Sequence, residues 1–91
     1  MVLVAVRVRF RGRVQGVSFR YYAKRFADEY DVKGWIRNMD DGSVEAIMEG
    51  EEAAVMKVVE LCRTGNPNAS VTDVELRKME YTGRYSGFVI R

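Results

Sequence analysis

Two places in this 91-residue chain combine residue types and spacing suited to chemistry. The first is Gly12-Arg13-Val14-Gln15-Gly16-Val17-Ser18-Phe19-Arg20, and the second is Asn38, beside the turn-forming Asp40, Asp41 and Gly42. A glycine-bearing loop that leads into a helix turns backbone N–H groups toward one point, at the positive end of the helix dipole. Arg20, one turn in, adds a planar pair of donors, so the chemistry on offer is capture of an anion. A tight structural turn is the competing reading of the same glycines. The stretch has neither the Gly-Lys-Ser/Thr ending of a Walker loop nor a Gly-x-Gly-x-x-Gly spacing. Asn38 on its own reads as a turn or cap residue.

The chain holds no histidine, which removes histidine triads, histidine zinc ligation and imidazole proton transfer. Net charge is only +2, yet Met1 to Ala27 carries seven Lys or Arg and no acid, leaving −5 for the remainder. That asymmetry points to an anionic ligand, phosphate or nucleic acid, unless the charges are simply a solvated edge. An apolar content of 47% beside 31% charged residues suits a globular protein, and the length suits one domain over 1–91. The opening Met1–Val6 is too short to span a bilayer and lacks a signal peptide's features. Cys62 is alone and has no partner for an intramolecular disulfide, so a reducing, cytoplasmic setting is expected.

The elements that must position these residues follow from periodicity. Val2, Val4, Val6, Val8 and Phe10 alternate with arginines, as in a half-buried strand. Phe19, Tyr22, Ala23, Phe26, Ala27 and Tyr30 form the stripe of a helix, with Gly34 beyond its end. Trp35–Asn38 and Val44–Glu49 read as strands around a hairpin turn, and Ala54, Val55, Val58, Leu61 and Cys62 as the inner face of a second helix closed by Gly65 and Pro67. Two strands, Val71–Met79 and the short Phe88–Arg91, follow. Trp35 and the first helix's aromatic stripe are expected in the core, and Cys62 as packing.

This order predicts an α+β, ferredoxin-like β-α-β-β-α-β sandwich: an antiparallel sheet, two helices on one face and a short extra C-terminal strand. Right-handed crossovers place strand one beside strand three, and strand two beyond it, parallel to strand one. Asn38 then falls on the sheet edge where the glycine loop emerges, about 10 Å away, two inter-strand spacings.

The run from Gly12 to Arg20, followed by Gly34-Trp35-Ile36-Arg37-Asn38 and then Gly42, Val44 and Gly50, resembles the acylphosphatase family over essentially the whole chain. Phe10 stands where that family usually has an aliphatic residue, and Ile36 where it usually has a smaller one. The resemblance implies metal-independent hydrolysis of the carboxyl–phosphate bond. Arg20 and the amides of Gln15, Gly16, Val17, Ser18 and Phe19 would hold the phosphoryl oxygens, and Asn38 would orient the attacking water. It implies no cofactor, a small-molecule acyl phosphate as substrate, inorganic phosphate as product and competing ligand, and neither a nucleic-acid nor a membrane partner.

The same element order serves RNA-recognition modules and regulatory ligand-binding domains, and Ser86-Gly87-Phe88-Val89 grazes an RNA-binding motif. Such modules stack bases on aromatics of the central strands. The expected open face here carries Arg7, Arg9, Glu45 and Glu49 instead.

Overall fold

A computed structural model describes residues 1–91. The chain forms β1 (Leu3–Arg13), α1 (Phe19–Glu29), β2 (Lys33–Asn38), β3 (Val44–Glu51), α2 (Glu52–Thr64), β4 (Ser70–Met79) and β5 (Phe88–Ile90). The strands make one sheet in the order β4-β1-β3-β2-β5. As expected, β3 separates β1 from β2 and pairs antiparallel with both, so β1 and β2 run in the same direction. The expected antiparallel sheet is mixed, because β5 pairs parallel with β2. β4 runs antiparallel to β1, so a chain that crosses from β4 to the far edge and reverses lands parallel to β2.

Alternation divides β1 cleanly. Val6, Val8 and Phe10 join Ile36, Val44, Ala46 and Met48 beneath the helices, where Phe19, Ala23, Ala27, Val55, Val58 and Cys62 complete the core. Phe10 and Ile36, the two departures from the family pattern, are both fully buried there. Burial also pushes the Cys62 thiol up to about 12, which leaves it an inert packing group. No helix is long and apolar enough to cross a membrane.

One boundary differs from the periodicity. β1 runs on to Arg13 because β4 continues to pair with it past a register shift at Arg11/Gly12. A β-carbon on Gly12, whose φ is +118°, would collide with main-chain atoms of Ser70 and Thr72. α1 ends at Glu29, short of Gly34, as its stripe leads one to expect; two residues on, Asp31 takes a left-handed φ of 57° while Val32 N–H donates to Ala27 O at 2.8 Å. Aspartate tolerates that conformation, so no glycine is needed to stop the helix.

Trp35 is buried as expected, on a face that the sequence does not specify. It lies outside the helix-side core: its register partner is Ile47, on the sheet's other face, and the guanidinium groups of Arg37 and Arg91 lie 5.1 and 4.7 Å from its ring centre. A ring capped in this way offers no platform for stacking a base.

That open face is organised by Glu45, only 3% exposed. Its carboxylate accepts hydrogen bonds from Arg7 (2.9 Å) and Arg9 (3.2 Å) on β1 and from Arg37 (3.0 Å) on β2. Burial alone would raise the Glu45 carboxyl, yet the hydrogen bonds from Arg7, Arg37 and Arg9 outweigh it and hold the group below the usual carboxylate range. A carboxyl lowered on folding stabilises the protein above its unfolded value, and that contribution disappears as pH falls through the folded value. Glu45→Gln should therefore cost ~2 kcal/mol near neutrality, since the amide carries no charge and replaces one acceptor oxygen with a donor facing arginine. In urea unfolding followed from about pH 7 down to about pH 3, the gap between parent and variant should shrink with acid. A constant gap would show that the charge of Glu45 is not what stabilises the sheet.

Candidate active site

Between β1 and α1 the chain makes a loop whose side chains alternate inward and outward. Val14, Val17 and Phe19 are buried, while Gly16 and Ser18 are exposed. The Phe19 ring packs 5.1 Å from that of Phe10, fixing the start of α1 against β1. Gly16 has φ +75° and Ser18, at the helix N-cap, has φ +61°. The Ser18 side chain makes no capping hydrogen bond. A serine held in the left-handed region costs on the order of 1–2 kcal/mol, so the surroundings must enforce it.

The first N–H in this region with a backbone acceptor is that of Tyr22, which donates to Ser18 O at 3.1 Å. The amides of Gln15 to Tyr21 have no such acceptor. They are available to an anion at the positive end of α1, whose first turn contains no acidic residue.

Two side chains grip the loop from behind. Gln15 Nε2 donates to Met39 O at 2.8 Å and to Ser43 O at 2.9 Å, stitching the loop to the β2–β3 turn. Asn66, in the turn between α2 and β4, donates through Nδ2 to Val17 O at 2.9 Å. Gln15 belongs to the sequence motif, but only the structure shows what it does. The Asn66 contact joins residues 49 positions apart, and nothing local in Gly65-Asn66-Pro67 announces it.

In front of the loop lies a cavity of ≈ 250 Å³, lined by Val14, Gly16, Ser18, Phe19, Arg20, Tyr21 and Asn38. The structure thus brings Arg20 and Asn38 together with Gly16, Ser18 and Phe19. Val17 is buried and Gln15 turns toward the hairpin, so neither lines the cavity. Arg20 Nη1 donates to the Arg91 main-chain oxygen at 3.1 Å, and Arg91 N–H donates to Ile36 O at 2.8 Å, so the guanidinium is tied to the sheet edge.

Asn38 is the last residue of β2 and is exposed. The turn beside it is closed by Asp41, whose Oδ1 accepts the Ser43 N–H at 3.0 Å and the Ser43 hydroxyl. Those bonds from Ser43 lower the Asp41 carboxyl from its ordinary value. The Asx-turn role that Asn38 could have filled therefore belongs to Asp41. Among the side chains able to bind metal, no three converge on a common point.

The two loop glycines should answer substitution differently. Gly16→Ala meets open space and should cost only the ~1 kcal/mol of a side chain at positive φ. Gly12→Ala meets main chain as well and should cost at least twice as much. Equal midpoint shifts in urea for the two variants would contradict the close approach of β4 to Gly12.

Comparison with known proteins agrees with this fold. The protein-family model described as Acylphosphatase matches residues 6–90. An acylphosphatase of Pyrobaculum calidifontis is 48% identical over 89 residues, covering 97% of this chain and 81% of that protein. One of Chloroflexus aurantiacus is 48% identical over 90 residues, covering 99% and 98%. The crystal structure of acylphosphatase from Bacillus subtilis superposes with a TM-score of 0.92 at 38% identity, covering 99% of both chains. With the family model, the curated relatives and the fold in agreement, this chain belongs to the acylphosphatase family of hydrolases.

Proposed function

We propose that the protein hydrolyses the carboxyl–phosphate bond of small acyl phosphates without a metal, cofactor or covalent intermediate, in the cytoplasm and within this one domain. The observation that carries this reading is the convergence of the outward-facing loop amides, Arg20 and Asn38 on one cavity. The phosphoryl oxygens sit against the amides of Gly16, Ser18 and Phe19, with those of Gln15 and Val17 completing the loop's field, and Arg20 supplies a bidentate donor. The Asn38 carboxamide holds a water in line with the bond to be broken. Water oxygen bonds to phosphorus, the P–O bond to the acyl oxygen breaks, and the leaving group departs as a carboxylate. The water's protons pass to the phosphate product and to solvent.

This division of labour explains how the site works without histidine. A carboxylate is a weak base and departs without a general acid, so what is required is position and charge stabilisation in the transition state. Fixed amides and a guanidinium provide both. An alkoxide leaving group would need a proton donor, which favours acyl phosphates over phosphate monoesters.

On a simple acyl phosphate, turnover should be undiminished in EDTA and inhibited competitively by inorganic phosphate. Loss of activity on chelation that zinc or magnesium restores would refute metal-independent hydrolysis. Arg20→Ala and Asn38→Ala should each lower kcat by about 100-fold or more, the scale of removing one preorganised transition-state donor. Arg20→Lys should not rescue, because an ammonium cannot reproduce the planar fork. A near-parental rate in any of these variants would remove that residue from its role.

A further inference from the structure

We propose that Asn66 is a positioning residue that aims the Ser18 amide at the phosphoryl group, an inference that rests on the reading of the loop as the phosphate site. Asn66 is 5% exposed, and both ends of its side-chain amide are in use. Its Oδ1 accepts the Asn68 N–H at 2.9 Å, while Nδ2 donates to Val17 O at 2.9 Å. The first contact settles the orientation, since a backbone N–H must face the oxygen and the NH₂ must then face Val17.

The consequence follows from peptide planarity. The Val17 carbonyl and the Ser18 N–H belong to one trans peptide unit and point in opposite directions. A hydrogen bond that holds the carbonyl from behind therefore turns the Ser18 N–H forward, toward the cavity that Ser18 lines. Flipping this peptide would return Ser18 from φ +61° to the ordinary negative region, relieving its strain, but would point a carbonyl oxygen at the anion. Asn66 opposes that relaxation.

Its own footing is rigid. Ala69 N–H donates to Asn66 O at 3.2 Å, Pro67 follows it, and Ser70, where β4 begins, pairs with Arg13 just ahead of the loop. The donor also polarises the peptide, which strengthens the Ser18 N–H as a donor.

The test is a titration with inorganic phosphate, read by inhibition and by backbone amide NMR shifts, on the parent, Asn66→Ala and Asn66→Asp. The aspartate variant keeps an acceptor for Asn68 N–H and loses the donor to Val17, so it separates aiming from capping. Both variants should weaken phosphate binding by about tenfold, the scale of one misplaced charge-assisted hydrogen bond. Both should also lose the phosphate-induced shift of the Ser18 amide. Met48→Ala, which leaves a core cavity toward the opposite end of β3, serves as a destabilised control and should retain both responses. Parental affinity and a parental Ser18 shift in the Asn66 variants, or the same losses in Met48→Ala, would overturn the proposal. A parent whose loop amides do not respond to phosphate at all would overturn the assigned phosphate site along with it.

Discussion

A loop can present several N–H groups on one side only if its backbone leaves the conformations that sequence-local forces prefer. Here that departure occurs twice within three residues, at Gly16 and Ser18, and the rest of the molecule is arranged to hold it. Buried Val14, Val17 and Phe19 anchor the loop by their side chains, so the main chain between them has little room to relax. Gln15 then fastens the loop to the Met39 and Ser43 carbonyls of the β2–β3 turn, and Asn66 holds the Val17 carbonyl on the far side.

The sheet supplies the second half of the arrangement. With β3 between them, β1 and β2 end at the same edge, so the loop after β1 and the last residue of β2 meet without a long connection. β5 adds to that edge through Arg91, whose main chain joins Ile36 on one side and Arg20 on the other. Arg20 thus depends on elements at both ends of the chain, and Asn38 only on the strand that carries it.

Much of this was legible beforehand, and the reasons differ by element. The alternation of Val6, Val8 and Phe10 and the stripe from Phe19 to Ala27 report burial directly, because side-chain period and backbone geometry are linked. Arg20 could be read from its place after a glycine loop, whereas Asn38 took its meaning from the family motif. The burial of Trp35 was legible but its face was not, because β2 is buried on both faces, and there apolar character no longer tells one face from the other. The parallel docking of β5 and the hold of Asn66 on Val17 were out of reach for a different reason. Both are long-range contacts made by residues whose local sequence fits many environments.

The arginine cluster around Glu45 has a consequence for how this chain finds its arrangement. Sliding β1 or β2 along β3 by one residue would turn its apolar side chains out of the core. Sliding by two would not: the same faces stay buried, and hydrophobic burial can scarcely separate the competing alignments. A two-residue slide of β2 does, however, carry Arg37 from directly opposite Glu45 to a diagonal position about 7 Å along the strand, whereas β1, which carries Arg7, Arg9, Arg11 and Arg13, would present another in place of the one displaced. For β2, Glu45 therefore acts as an index mark, favouring the alignment that sets Arg37 directly opposite it among those that apolar contacts treat as near equals. Since the alignment of β2 decides how far its last residue projects toward the loop, a carboxylate on the opposite face of the sheet sets the aim of Asn38.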